Sequence, residues 1–288
     1  MSALIDLHLH TTASDGRLTP PELVKLLAES GLKYVAITDH DSTEGVASAI
    51  DAATLYPGLT IIPGIELSAD PPQGEAHILG YFLDLDDYDF QGVLAEFRAG
   101  RESRGREMVD RLATLGVPIE WDRVEELAKG GTITRPHIAL AMVERGHVAT
   151  FQEAFEKYIG QTGLAYIQRE KLAPEIAIEL IADNGGLPVL AHPARYVSNL
   201  EGLLPSIRKA GLVGLEVYYK DYTETEQAEL LELCGQYDLI PCGGSDYHAL
   251  KTPEEVDPGL VGPPLESLLR LRDMAGDRGR ATLGDLNG

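Results

Sequence analysis

Residues 4–16 read LIDLHLHTTASDG, with His8 and His10 alternating with apolar residues. Alternate residues of a β-strand face one side, so two imidazoles can converge on one ion where the strand ends. An HxH pair alone is weak evidence, because two exposed or hydrogen-bonded histidines at a strand end give the same pattern. Its weight comes from what stands beyond the other strands.

Working outward, apolar runs rich in Val, Ile and Leu recur between helical patterns, the signal of repeated β-α units around a largely parallel sheet. They predict seven strands, near residues 3–8, 33–38, 59–65, 76–83, 187–191, 212–218 and 238–243, and helices near 20–30, 43–55, 173–184, 199–210 and 224–235. Ser30-Gly31, Pro57-Gly58, Asn184-Gly185-Gly186 and Ala210-Gly211 supply turn or stop signals between a helix and the next strand. From about residue 88 to 170 the alternation gives way to charged helical stretches at 90–115, 121–129 and 136–158. The predicted architecture is a discontinuous α/β barrel over 1–88 and 170–275, a helical insertion or cap over 89–169, and a loose polar tail over 276–288.

His40 follows the apolar run YVAITD, Glu66 ends TIIPGIE, His192 ends LPVLAH, and Asp246 and His248 sit in SDYH after LIPCGG. Five potential ligands thus lie just beyond four predicted strands. In barrel enzymes the carboxyl ends of the strands share one face, where residues distant in sequence meet. Asp15, on the loop after the first strand, can approach the same mouth. His77 begins HILGYFL and is less well placed by this rule. Mixed imidazole and carboxylate donors suit borderline first-row ions, and carboxylates can bridge neighbouring metals. Were each histidine separately structural, six of the eight would have gathered near strand ends without a common cause.

The 288 residues are 44% hydrophobic and 24% charged, a composition able to bury a sizeable core. No long apolar run or basic leader is evident, which points to a cytoplasmic protein with no membrane partner. Cys234 and Cys242, on a predicted helix and the next strand, read as buried thiols. A formal charge of −22 opposes binding to long nucleic acid, so a polyanionic substrate needs metals or a local basic patch.

The ordered set His8-Leu9-His10, Asp39-His40, Glu66, His192-Pro193 and Asp246-Tyr247-His248 resembles the PHP (polymerase and histidinol phosphatase) family. The resemblance covers most of the chain, the insertion matching least. It implies a distorted (β/α)7 barrel, TIM-like, around two or three divalent metal ions, with Mn²⁺ favoured and Fe or Zn as alternatives. It implies one metal held by His8, His10, Glu66 and Asp246, a second by Glu66, His77 and His192, and a third by Asp15, His40 and His248. Asp15 stands where other members carry histidine, and an oxygen donor there weakens that site or tilts it towards Mn²⁺. Phosphate-ester hydrolysis by a metal-bridging hydroxide is implied, with Asp246 and His248 at the reacting centre and no Ser or Cys nucleophile. Asp39 either orients His40 or caps the following helix.

Substrate choice is expected from the insertion. In GGTITRPHIALAMVERG, Pro136 suits a first helical turn, where backbone amides and the Arg135 guanidinium can hold a second phosphate beside His137. A salt bridge for Arg135 and a packed or surface His137 are the plain alternatives. Arg195 in AHPARY is a further candidate phosphate contact, or structural. Tyr218, Tyr219 and Lys220 suit the mouth or the barrel rim equally, and His147 reads as a surface residue. The TRPHIA run with EAFEKYIG looks like the cap of a PHP subgroup acting on nucleoside 3′,5′-bisphosphates or short RNA ends. The implied substrate is a small phosphorylated molecule, a nucleotide or short oligonucleotide, and the implied reaction removes a 3′-phosphate to leave the 5′-monophosphate. A 5′-3′ exoribonuclease on short RNA, a histidinol-phosphate phosphatase and a catalytically silent nucleotide-binding module are the alternatives.

Overall fold

The computed structural model describes residues 4–71, 74–168, 172–197, 199–252 and 255–284. Seven strands, β1 (Ile5–Asp6), β2 (Tyr34–Ile37), β3 (Thr60–Ala69), β4 (Ala76–Tyr81), β5 (Leu187–Ala191), β6 (Gly214–Tyr219) and β7 (Ile240–Gly244), form one sheet in sequence order. They fall on the seven apolar runs. β5, LPVLA, is buried at every residue, as a strand covered on both faces must be. β4 departs from the parallel pattern: it runs antiparallel to both β3 and β5, while the other neighbours pair in parallel.

The sheet curls until the Leu7 amide donates to the Gly243 carbonyl at 3.2 Å and Leu9 bridges Tyr247, leaving a nearly closed distorted barrel. That approach requires a glycine at the seam. A Cβ on Gly244 would lie 2.4 Å from the His8 nitrogen.

One buried cluster draws together Ile5, Leu7, Ile62, Tyr81, Val189 and Ile240 from strands on both sides of the seam. Outer clusters join the strands to the surrounding helices, with Leu23, Val46 and Ile61 in one and Ile178, Leu204 and Leu215 in another. Helices Pro20–Glu29 and Glu224–Tyr237 begin in Thr-x-x-Glu capping boxes, Thr19 with Glu22 and Thr223 with Glu226, which satisfy amides that would otherwise lack acceptors. Cys234 and Cys242 are free and buried.

Between β4 and β5 the described chain is helical. A 27-residue helix, Tyr88–Thr114, starts in the barrel and ends in the insertion. Phe90 and Leu94 belong to the barrel's outer core, whereas Met108, Val109 and Leu112 belong to a separate core with Ile138, Met142 and Ile159. The stretch expected at 136–158 divides into helix Arg135–Glu144, the short helix Phe151–Ala154 and a π-helical turn, Phe155–Ile159. The expected return at residue 170 lies outside the described residues. The tail is not loose throughout: Asp277–Leu283 is a helix, and Leu283 packs into the barrel cluster beside Leu268 and Leu271. Residues 285–288 lie outside the described residues. Among the described residues no helix is long and apolar enough to cross a membrane.

Candidate metal centre

The barrel mouth gathers nine of the side chains singled out in the sequence. Glu66, on β3 and 1% exposed, is their hub. Its Oε2 lies 3.2 Å from His8 Nε2, His10 Nε2 and His40 Nδ1 alike. Its Oε1 lies 2.7 Å from His77 Nδ1 and 3.1 Å from His192 Nε2. Asp246 Oδ1 faces His8 Nε2 at 3.4 Å and His10 Nε2 at 3.2 Å. Asp15 stands between His248 and His40, 3.3 Å from the first and 3.8 Å from the second. Three groups have donor atoms close enough to share an ion: His8, His10, Glu66 and Asp246; His10, Asp15, His40 and His248; and His40, Glu66 and His77.

His77 reaches this mouth because β4 is reversed, so that its first residues lie level with the last residues of the parallel strands. Strand direction cannot be read from an apolar run, which is why His77 looked poorly placed. His192 and Asp246 have left-handed backbones, φ 29° and 51°, a conformation that non-glycine residues hold only when their surroundings fix it.

The donors fit divalent ions. His10 Nε2, His40 Nδ1 and Asp15 Oδ1 are buried without a hydrogen bond, and such atoms are costly unless something binds them. Burial opposes charge at His10, yet Asp246 and Glu66 outweigh it and raise its pKa to about 10. At His8 burial is likewise overcome, by Glu216, Glu66 and Asp246. At His40 burial prevails and lowers the pKa to about 3, the neutral form a ligand needs. Burial works against ionisation of Glu66 and Asp246 too, but the facing histidines, with Lys220 at Asp246, hold both well below the usual carboxylate range.

Glu216 on β6 was missed in the sequence. Fully buried, it sits 3.0 Å from His8 Nδ1 and accepts the His192 backbone amide at 2.7 Å. It thus holds the His8 ring and the His192 backbone from behind. The available signal was an acid within the apolar strand run LEVYY. Lys220 and the Tyr219 hydroxyl both donate to Asp246 Oδ2, at 3.0 and 2.8 Å, which leaves Oδ1 facing the histidines. Tyr218 is half-buried. Asp39 takes neither role expected of it: it accepts from the Thr11 amide, the Thr11 hydroxyl and the Ser14 hydroxyl at 2.6–2.7 Å, shaping the loop that carries Asp15. Asp6 staples β1 to the loop after β7 through the His8 and Ser245 amides, and burial raises its pKa to about 6.

The cluster opens into a pocket of about 270 Å³, also lined by Arg101, Arg104, Arg135, Phe151 and Phe155 of the insertion. Arg135 is held by Glu75, with both carboxylate oxygens at 3.1 Å. His137 does not line this pocket. Its Nδ1 accepts the Thr134 amide at 3.1 Å, a capping contact in the first turn of its helix. Arg195 is likewise engaged elsewhere, by Glu226 at 2.7 Å and the Asp221 carbonyl, so it contacts a neighbouring helix rather than the pocket. His147, half-buried, bonds the Pro118 carbonyl.

A model of the PHP domain matches residues 6–239. The 5′-3′ exoribonuclease Rnm of Salmonella typhimurium is 35% identical over 251 residues, 86% of each chain. The 3′,5′-nucleoside bisphosphate phosphatase of Chromobacterium violaceum is 31% identical over 256 residues, 86% of this chain and 88% of that one. A solved structure from Bifidobacterium adolescentis, provisionally named a metal-dependent phosphoesterase, superposes with a TM-score of 0.86 at 32% identity, over 95% of this chain and 96% of that one.

Proposed function

The chain belongs to the PHP domain family and is a metal-dependent phosphoesterase, and from that premise we propose that it removes the 3′-phosphate from nucleoside 3′,5′-bisphosphates, leaving 5′-monophosphates. The observation that carries this reading is the shared pocket, in which the ligand cluster faces Arg101, Arg104 and Arg135 and the ring pair Phe151 and Phe155, centroids 5.2 Å apart. Cations remote from the cluster suit a second phosphate, and the rings offer a base an aromatic face.

We assign one Mn²⁺ to His8, His10, Glu66 and Asp246. A second we assign to Glu66, His77 and His192, both rings facing Glu66 Oε1, with the His40 donor also within reach of Glu66 and His77. A third we assign to Asp15, His40 and His248, with His10 close enough to contribute. Divalent ions held there would lower the pKa of a water and neutralise phosphate oxygens. The chain's own part is positional. Glu66 holds the sites together, Glu216 fixes His8 and His192, and Lys220 with Tyr219 orients Asp246. Arg135, from the insertion, holds the phosphate that does not react. A cytoplasmic setting agrees with a nucleotide substrate and two free thiols.

Cleavage of short RNA from its 5′ end is the second reading, favoured by the exoribonuclease name of the Salmonella relative. Phosphate release by Mn²⁺-loaded protein from adenosine 3′,5′-bisphosphate, 3′-AMP and histidinol phosphate tests the proposal. The bisphosphate should lead in kcat/KM, and a lead for histidinol phosphate would sink it.

A further inference from the structure

Beside the metal pocket lies a second groove of about 590 Å³, and the two have Ser68, Arg101 and Arg104 in common. Phe97, Gly100, Arg101 and Arg104 follow one another at i, i+3, i+4 and i+7 on the long helix, so they present one continuous face. Ile167 and Leu172 add apolar lining. The two guanidiniums between the compartments are fixed. Arg101 donates to Asp41 at 2.5 Å and to Ser68 Oγ at 2.7 Å, and Arg104 donates to the Ile167 carbonyl at 2.6 Å and lies over the Tyr166 ring. Arg101 offsets the charge of Asp41, and the groove's other acids, Glu96 and Glu107, are exposed to solvent.

We propose that this groove receives the nucleotide on the far side of the scissile phosphate in a short 5′-phosphorylated RNA. The backbone would pass between the compartments at Arg101 and Arg104, and a base would lie against Phe97, Ile167 and Leu172. This rests on the phosphoesterase reading of the neighbouring pocket and extends its substrate class. In the reaction a water oxygen bonds to phosphorus, the P–O3′ bond breaks and the O3′ atom ends protonated. The products are a nucleoside 5′-monophosphate and an RNA one residue shorter with its own 5′-phosphate. With hydrogen in place of the downstream nucleotide, the same bond changes remove a 3′-phosphate. A bisphosphate therefore occupies the pocket alone, and an oligonucleotide occupies both compartments.

Gly100 allows a clean test, since a Cβ added there meets nothing within 4 Å, and the same holds for Gly92, which lies on the same helix but does not line the groove. Gly100→Trp fills the groove; Gly92→Trp is the control. Binding is measured on the metal-loaded protein, for a 5′-phosphorylated trinucleotide labelled at its 3′ end and for adenosine 3′,5′-bisphosphate, each with a methylene group in place of the scissile P–O3′ oxygen so that neither is cleaved. Wild-type protein should bind the trinucleotide more tightly, and Gly100→Trp should weaken it about ten-fold or more, on the scale of one lost base contact, while bisphosphate affinity stays within about two-fold. Gly92→Trp should change neither. Equal wild-type affinity for the two ligands, unchanged trinucleotide affinity in Gly100→Trp, or equal losses on both ligands would each overturn the groove assignment. Failure of Mn²⁺-loaded wild type to release phosphate from the bisphosphate would overturn the proposed reaction instead, and the binding comparison would still decide the groove.

Discussion

Five imidazoles lie within 2.7–3.2 Å of a single carboxylate, Glu66; the surrounding carboxylates favour the protonated form of His8 and His10, while burial keeps His40 neutral. With His10 raised to about 10 and His8 also raised, the chelated protein carries protons on these rings at neutral pH, and an ion must displace them. Mn²⁺ affinity should therefore rise with pH between 6 and 8, by up to about ten-fold per unit for each proton displaced. Calorimetric titration in buffers of different ionisation heat should show proton release, and a pH-independent affinity would contradict the linkage. Asp246→Asn keeps the size but removes the charge opposite His8 and His10, so turnover should nearly vanish and bound metal should fall while the fold persists. Wild-type turnover with a full metal complement would rule out the ligand role. Glu216→Gln leaves an acceptor for the His192 amide but no carboxylate behind His8. Mn²⁺ affinity should drop about 10–100-fold, read directly by metal titration, and an unchanged affinity would reduce Glu216 to a packing residue.

Among the elements, helix Arg135–Glu144 presents its first residue to the pocket already paired with Glu75. Arg135→Ala removes a phosphate contact worth roughly 1.5–3 kcal/mol and leaves Glu75 facing the same pocket. KM for a bisphosphate should rise about ten-fold or more, and further than for a substrate with only the scissile phosphate. Adding Glu75→Gln should recover part of the loss, whereas equal losses on both substrates would remove Arg135 from phosphate selection. The strands and the donor side chains gathered at their ends were legible because period-two patterning and barrel geometry act locally. Three things were not. The direction of β4, and so the placing of His77, depends on pairing across the sheet. Glu216 was hidden because nothing in LEVYY says which residue lies behind it. Arg195 and His137 carry the right chemistry, but Glu226 and the Thr134 amide, visible only after folding, engage them first.

At the scale of the whole molecule, helix Tyr88–Thr114 runs from a buried cluster shared with the strands to a separate one shared with helix Arg135–Glu144, and the donor groups stand on the strands and the loops that follow them. Chelation should therefore lower the barrel's thermal stability selectively. At free Mn²⁺ 1,000-fold above its dissociation constant the stabilisation is about 4 kcal/mol, a melting shift on the order of 10 °C. Hydrogen exchange should quicken at β1 and β7 on chelation while helix Arg135–Glu144 keeps its protection. Equal loosening of both would show one cooperative unit. The seam where Leu7 meets Gly243 also sets when the enzyme can first exist during its synthesis. His8 and His10 leave the ribosome early, but Asp246 and His248 follow only after nearly all the barrel has been translated, a delay on the order of 10–50 s at ~5–20 residues per second. Through that interval the nascent chain holds Asp15, His40, Glu66 and His77 without the Asp246 and His248 that complete two of the three groups, and completion of the metal centre becomes a late event of its maturation.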